Sequence, residues 1–278
     1  MSRPWVGGLM IECELKNRDA LILNIGTELT LGVTINTNGS WLARKLTYLG
    51  FQVKRITVVR DDEEDVVEEM RRGLDKYGLI ITTGGLGPTY DDSTSLFVAK
   101  ALGVDLALNE QALAMVREAH RARGEELNEA RIKQAMLPRG ARPIYNRVGT
   151  APGFYFCTHN KALIVSLPGP PRELQPMFEG EVEPMLRGLT GLEYLEDFIE
   201  FRGLTESSIA KIIERVAKEN PSVYIKTHPR LSDKGESIIQ VQLSTHTNDV
   251  ARARMLLESI KKKLLESINE EITKRNTG

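Results

Sequence analysis

Cysteine and histidine are scarce in this 278-residue chain, which contains two of the former and four of the latter. Two cysteines, Cys13 and Cys157, are too few for a disulfide framework or for a zinc site built from thiolates. The histidines stand at no spacing that metal-binding motifs use. We therefore expect two reduced thiols, the usual state in a cytoplasm, and a cytoplasmic protein.

An excess of charge of one sign is missing as well, because 37 lysines and arginines balance 38 aspartates and glutamates. No general positive field exists that would draw the chain onto nucleic acid. Apolar runs such as residues 162–167 fall far short of the roughly 20 residues that span a bilayer. The expected partner is therefore a small molecule, and neither a nucleic acid nor a membrane.

A local exception to this balance is a modest basic hairpin made of Lys226, His228, Arg230 and Lys234. Such a hairpin is either a solvated turn or a contact for RNA. The surrounding segment lacks the G-x-x-G loop that an RNA reader of the KH type needs. That absence favours the solvated turn.

What the chain does contain is a regular alternation of strand and helix patterns. Residues 20–25 and 79–82 are short apolar runs, the pattern of buried parallel strands, and residues 51–59 are rich in β-branched side chains. Amphipathic helix patterns lie between them. This order predicts an α/β fold with a three-layer, doubly wound, mostly parallel sheet that helices cover on both faces.

Changes in composition predict three parts of the chain. Residues 1–18 are interpreted as a poorly ordered N-terminal extension. Residues 19–190 form the α/β domain, and the short polar segment over residues 187–196 marks its end. Residues 195–278 follow with a β-α-β-β-α order, which predicts a second, smaller α+β domain with a core of its own.

Small and polar residues follow the predicted strands, at the sheet edge where α/β proteins bind ligands. After the first strand, Thr27 and Glu28 place a hydroxyl and a carboxylate at that edge. Asn36 and Asn38 follow, at the start of the next helix. The Asn38 side chain either caps this helix or contacts a ligand.

The richest motif is Thr-Gly-Gly-Leu-Gly-Pro-Thr at residues 83–89, followed by Asp91 and Asp92. Three glycines in four residues let a ligand approach the backbone, whose N–H groups suit a phosphate. The motif is neither the phosphate loop of P-loop proteins nor the dinucleotide-binding G-x-G-x-x-G. Asp91 and Asp92 either hold a divalent metal against that phosphate or cap the following helix.

Two further turns complete this set of motifs. Gly-Thr-Ala-Pro-Gly at residues 149–153 contains Thr150, and Leu-Pro-Gly-Pro-Pro-Arg-Glu-Leu at residues 167–174 contains Arg172. The Arg172 guanidinium either reaches a phosphate with two hydrogen bonds or pairs with a surface acid. The candidate ligand-binding residues all stand in these motifs: Thr27, Asn36, Asn38, Thr83, Gly84, Gly85, Gly87, Thr89, Thr150, Gly169, Pro170 and Arg172.

In their order and spacing, these motifs together with Lys133-Gln134-Ala135 resemble the N-terminal domain of the CinA family of competence/damage-inducible proteins. The resemblance covers about residues 19–187, and residues 198–245 are similar to the smaller middle domain of the same family. The first domain is also similar to the molybdopterin-binding fold of molybdenum-cofactor biosynthesis proteins. In those proteins the Thr-Gly-Gly loop binds the pterin or nucleotide phosphate, and Asp92 matches a functional aspartate.

The resemblance implies an ADP-ribose pyrophosphatase that requires a divalent metal ion, Mg2+, Mn2+ or Co2+, and that forms a homodimer. Bacterial CinA proteins usually continue into a nicotinamide-nucleotide amidase domain. This sequence ends at Gly278, before such a domain, so we expect no amidase activity.

Three functions remain open at this point. The first is hydrolysis of the pyrophosphate of ADP-ribose or a related nucleotide, with the N–H groups of residues 84–87 on a phosphate and Asp92, with Asp91 or Glu28, on the metal. Glu28 is then the candidate general base, and Lys133 is either a positive charge for the diphosphate or only a surface charge. The second function is a pterin site that binds or adenylylates molybdopterin. The third is a non-enzymatic nucleotide-sensing module.

Overall fold

A computed structural model of the chain describes residues 13–231 and 236–276, with side chains as far as residue 271. The chain divides into two compact units, Met1–Gly191 and Leu192–Gly278. Within the described residues, no helix combines the length and the apolar character needed to cross a membrane.

The described residues of the first unit form eight strands: β1 (Asp19–Ile25), β2 (Gln52–Val59), β3 (Leu79–Thr83), β4 (Leu106–Leu108), β5 (Met136–Pro138), β6 (Arg142–Ile144), β7 (Gly153–Cys157) and β8 (Leu163–Leu167). Six of them form one sheet in the order β2-β1-β3-β8-β7-β6. The first four strands of this order are parallel, and β7 is antiparallel to both of its neighbours. β4 and β5 form a separate antiparallel pair.

Helices cover both faces of this sheet: α1 (Thr27–Thr30), α2 (Thr37–Tyr48), α3 (Glu63–Lys76), α4 (Thr94–Leu102), α5 (Glu110–Ala122), α6 (Glu129–Ile132), α7 (Pro171–Met177) and α8 (Glu183–Thr190). β1 is buried on both faces, so Ile22 packs with α2, α7 and α8 while Leu23 packs with α3, α4 and α5. The predicted three-layer, mostly parallel α/β architecture is confirmed.

The second unit consists of β9 (Glu193–Arg202), α9 (Glu206–Glu219), β10 (Tyr224–Leu231), β11 (Ser237–Thr247) and α10 (Val250–Asn276). Its antiparallel sheet has the order β10-β11-β9. Val241 and Leu243 of β11 pack against Val216 of α9 and Leu264 of α10. The predicted smaller α+β fold is confirmed. Lys234 of the predicted basic hairpin lies outside the described residues.

The N-terminal segment differs from its predicted description. The first twelve residues lie outside the described residues, but the chain from Cys13 onward packs on the first unit. Cys13 is buried, the Lys16 amide donates to the Lys161 carbonyl at 2.9 Å, and the Gly78 amide donates to Asn17 Oδ1 at 2.8 Å. The expectation of poor order is wrong for residues 13–18. The residues that hold this segment stand more than 50 positions away along the chain, so the local sequence gives no sign of these contacts.

Cys13 and Cys157 form a disulfide, with their Cα atoms 6.0 Å apart. The prediction of two reduced thiols is therefore wrong. The two cysteines stand 144 residues apart, and only the return of the N-terminal segment to the end of β7 brings them together. With both cysteines in a disulfide, the chain has no free thiol to indicate a reducing compartment.

Candidate functional site

A pocket of about 390 Å3 opens at the carboxyl ends of β1, β2, β3 and β8. Glu28 follows β1, Asp61 follows β2, residues 84–87 follow β3, and Gly169 follows β8. Parallel strands point their carboxyl ends to one edge of a sheet, and ligands of open α/β folds bind there. The topology thus brings four distant stretches of sequence to one cleft.

Most of the sequence-predicted site residues line this pocket: Glu28, Asn36, Asn38, Thr83, Gly84, Gly85, Gly87, Asp91, Asp92, Thr150, Gly169 and Pro170. Four others, Thr27, Thr89, Lys133 and Arg172, lie outside the lining. Arg172 is exposed on the first turn of α7 and forms no hydrogen bond or ion pair with the described part of the chain. The pairing with a surface acid, one of the two roles proposed for this guanidinium, is therefore not found in the described part of the chain.

The glycine-rich loop after β3 is shaped by close backbone contacts. Gly84 has φ +96°, and a Cβ atom added to it would lie 2.1 Å from the Ile25 carbonyl oxygen. The Gly84 amide donates to the Leu167 carbonyl at 3.0 Å. That amide is therefore not available for a phosphate, contrary to the prediction. Gly84 instead lets the loop pass between the ends of β1 and β8.

The next three residues of the loop carry the available donors. The amides of Gly85, Leu86 and Gly87 donate no hydrogen bond within the described part of the chain, and all three residues line the pocket. Thr94 fixes this stretch, since its hydroxyl donates to the Gly84 carbonyl at 2.9 Å and its amide to the Gly85 carbonyl at 3.0 Å. Unpaired loop amides ahead of a helix are an anion-binding arrangement.

Asp92 holds the shape of the next turn. Its Oδ2 accepts hydrogen bonds from the Thr89 amide at 2.9 Å and the Thr89 hydroxyl at 2.6 Å. The same hydroxyl also donates to Asp91, and this bond, with Lys133 nearby, holds the pKa of the Asp91 carboxyl below its ordinary value. Lys133 Nζ donates to the Thr89 carbonyl at 2.6 Å. Lys133 therefore contacts the loop that carries the two aspartates.

The start of α2 differs from the prediction in one position. Asn36 is the N-cap, because its Oδ1 accepts from the Gly39 amide at 3.0 Å. Of the two roles left open for Asn38, the cap is excluded, since the helix already begins at Thr37. Asn38 Nδ2 instead donates to the Gly169 carbonyl at 2.7 Å, and its Oδ1 is buried without a partner in the described part of the chain. Asn38 thus joins the β1 and β8 sides of the pocket.

The pocket lining also includes Asp61, Gln134 and Glu173, which were not among the predicted site residues. Asp61 accepts from the Thr27 amide at 2.7 Å and from the Thr27 hydroxyl at 3.1 Å, so Thr27 holds a carboxylate of the pocket and does not line it itself. The position of Asp61 directly after β2 was a usable signal. Glu173 stands next to the chosen Arg172, about 100° further around the helix.

Glu173 belongs to a group of hydrogen bonds centred on the side chain of Asn146. Asn146 Nδ2 donates to Glu173 Oε2 and to the Ala151 carbonyl, each at 2.9 Å. Asn146 Oδ1 in turn accepts from the Gly149 amide at 2.7 Å. One buried asparagine thereby fixes both the glutamate and the turn that carries Thr150.

Five carboxylates line the pocket, those of Glu28, Asp61, Asp91, Asp92 and Glu173. Over the described part of the chain, the lining includes no lysine, arginine or histidine. The same part contains no group of three or more His, Cys, Asp or Glu side chains that could hold a metal ion. A metal at this site would therefore complete its coordination with oxygens of a bound molecule, as Mg2+ commonly does with phosphates.

Comparison with known proteins identifies similar chains. The family model described as probable molybdopterin binding domain matches residues 21–188, a region that contains the whole pocket. A protein of Pyrobaculum calidifontis is 44% identical over 255 residues, which cover 91% of this chain and 97% of that protein. A protein of Aeropyrum pernix is 44% identical over 260 residues, with the same two coverages.

Among solved structures, the crystal structure of CinA from Thermoplasma acidophilum, a protein with unknown function, is similar to the first unit. The two chains are 38% identical, with a TM-score of 0.55, over 59% of this chain and 95% of that one. The expected resemblance to CinA and to molybdopterin-binding domains is confirmed.

Proposed function

Since the chain belongs to the family of the probable molybdopterin binding domain, we propose that its pocket binds a phosphorylated pterin of the molybdopterin class. The observation that carries the proposal is the lining, which combines five carboxylates with unpaired loop amides. A pterin ring offers an amino group and a ring N–H side by side as donors. Carboxylates accept such donors, and the amides of residues 85–87 suit the phosphate end of the same ligand.

Glu28 is the carboxylate that we assign to the pterin ring. Its side chain is exposed, lines the pocket, and has no hydrogen bond or ion pair with the described part of the chain. The carboxylates of Asp61, Asp91, Asp92 and Glu173 each accept at least one hydrogen bond from the chain, whereas Glu28 has both oxygens available. The unpaired buried Oδ1 of Asn38 is a further acceptor for a ligand N–H.

Glu28→Gln is expected to weaken binding of 6-hydroxymethylpterin diphosphate by roughly tenfold to a hundredfold, because a charge-assisted hydrogen bond contributes about 1.5–3 kcal/mol. Titration of the pterin fluorescence measures this affinity. Glu118→Gln, an exposed glutamate outside the pocket, is the matched control and should bind like the unaltered protein. If the unaltered protein binds no pterin, the proposal is wrong, and an unchanged affinity in Glu28→Gln removes the role of Glu28.

Light scattering of the same samples tests the expected homodimer.

A second candidate function is hydrolysis of the diphosphate of ADP-ribose, and the observation in its favour is the position of Asp91 and Asp92 next to the free amides of residues 85–87. A divalent cation bound there would neutralise charge on the diphosphate. Asp91 and the second oxygen of Asp92 would hold the cation together with phosphate oxygens. Glu28 is the candidate base for the attacking water, and Lys133 supports the loop through Thr89.

Asp92→Asn is expected to lower AMP formation from ADP-ribose, with Mg2+, Mn2+ or Co2+ present, by at least about a hundredfold. The asparagine keeps one oxygen for the two Thr89 hydrogen bonds, so the loop retains its shape while the negative charge is lost. Asp105→Asn, a surface aspartate paired with Arg139, is the control. Chromatography of the nucleotide products measures the rate. A full rate in Asp92→Asn, or no AMP from the unaltered protein with any of the three metals, would contradict this function.

A further inference from the structure

A line of hydrogen bonds connects the surface of the first unit to the pocket through His120. This histidine on α5 is 4% exposed and does not line the pocket. Its Nδ1 lies 2.7 Å from Glu125 Oε2, and its Nε2 lies 3.2 Å from Gln134 Oε1. Gln134 is 5% exposed, and its Nε2 donates to the Thr150 hydroxyl oxygen at 3.1 Å. Gln134 and Thr150 both line the pocket.

The chemistry of these groups determines the direction of each bond. Glu125 Oε2 and the Gln134 amide oxygen, the two atoms that face the His120 ring, only accept, so a ring that bonds to both donates from both nitrogens. Glu125 remains an ionised acceptor, because the bond from His120, with Arg131 and Arg123 nearby, lowers its pKa. With its oxygen on His120, the amide of Gln134 can present only N–H to Thr150. The Thr150 oxygen therefore accepts, and its hydrogen is left to point elsewhere.

We propose that His120 and Gln134 are positioning residues that turn the hydroxyl hydrogen of Thr150 into the pocket, where it donates to an anionic oxygen of the ligand. The proposal deepens the proposed function, since it requires a ligand that carries a phosphate. It goes beyond that function in assigning a role to two residues that lie behind the wall of the pocket.

The composition of the lining explains why the direction of the Thr150 hydroxyl hydrogen matters. A hydroxyl can donate or accept, and a pocket with five carboxylates already has an excess of acceptors. If His120 donated from one nitrogen only, the Gln134 amide could rotate by half a turn and accept from Thr150. Thr150 would then present only lone pairs to the pocket and repel a phosphate. A His120 ring that donates on both sides excludes that rotation.

Gln134→Glu tests the proposal, because glutamate has the shape of glutamine but two accepting oxygens. It can still accept from His120, and it then takes the Thr150 hydrogen away from the pocket. We expect a loss of roughly tenfold to a hundredfold in affinity for 6-hydroxymethylpterin diphosphate. The affinity for unphosphorylated 6-hydroxymethylpterin should stay within about twofold, since that probe offers no anion to Thr150. A packing defect would weaken both probes alike.

The charge added by glutamate also repels phosphate, and Thr150 variants separate the two effects. Thr150→Val removes the hydroxyl at equal size and should reproduce the selective loss, whereas Thr150→Ser should retain phosphate binding. In the double variant with Gln134→Glu and Thr150→Val, the two losses should combine to less than their product, because both act on one hydrogen bond. Equal losses for both probes, or losses that multiply fully, would overturn the proposal.

Two measurements keep this test separate from the test of the ligand class. The same variants are titrated with ADP-ribose, which carries a diphosphate, and with adenosine, which carries none. Even if the protein binds no pterin, this pair of probes shows whether the variants lose affinity only for the phosphorylated ligand. The 15N spectrum of His120 in the unliganded protein is expected to show two protonated ring nitrogens. A neutral ring with one protonated nitrogen contradicts the proposal whichever ligand the pocket takes.

Discussion

Gly84→Ala is expected to destabilise the first unit by about 3 kcal/mol and to abolish ligand binding. The new methyl group would meet the Ile25 carbonyl oxygen at 2.1 Å, a backbone atom that cannot rotate away. The φ of +96° adds strain for any residue with a Cβ. Overpacking and an unfavourable backbone conformation each cost about 1–3 kcal/mol. Relief would require β1 and β3 to separate at the edge that forms the pocket.

Urea unfolding followed by tryptophan fluorescence measures this effect, because Trp41 lies on α2 of the first unit and the sequence has no tryptophan in residues 192–278. Gly188→Ala in α8 is the matched control. A Cβ there meets nothing within 4 Å, and alanine is the better helix former, so a gain of up to about 1 kcal/mol is expected. A Gly84→Ala protein as stable as the unaltered one would show that the loop does not pass against Ile25 as described.

Cys157→Ser is expected to lower the free energy of unfolding of the first unit by about 2–4 kcal/mol under oxidising conditions. The disulfide joins residues 144 positions apart, and a link across so long a loop removes much conformational freedom from the unfolded chain. It also holds the segment that begins at Cys13 against the sheet. The loss of the link therefore acts on both the unfolded and the folded chain.

The same unfolding experiment with and without a reducing agent provides the control for this prediction. Reduction should bring the unaltered protein to the stability of Cys157→Ser and should leave that variant unchanged. Cys13→Ser should lose as much as Cys157→Ser, and the double variant no more, because all three lack the same bond. A reducing agent without effect on the unaltered protein would contradict the disulfide.

Local patterns were sufficient for most of the fold. β1 and β3 are short apolar runs buried on both faces, and that composition occurs in parallel strands under two layers of helix. The predictions failed where a pattern was short. Residues 128–138 are one such place: they form α6, a tight turn and β5, and three-residue strands such as β4 and β5 are set by their pairing and not by periodicity.

The candidate site was located from the sequence, but several roles within it were not. Strand ends can be found in a pattern, and parallel strands bring them to one edge, so the region around Glu28 and residues 84–87 was predictable. A one-residue difference decides which side chain enters the pocket, as with Asn36 and Asn38 or Arg172 and Glu173. Such differences depend on where a helix begins, and boundaries are the least certain part of a pattern.

The sequence by itself determined the fold class, the two-part organisation and the family, because these rest on periodicity and on motifs that are contiguous in the chain. Only the tertiary structure decided that Cys13 meets Cys157 and that His120 reaches Thr150 through Gln134. It also decided that five carboxylates line one cleft, with no lysine, arginine or histidine in the described lining. Each of these joins residues distant in sequence. Such contacts depend on how the packed elements are arranged, which no local pattern records.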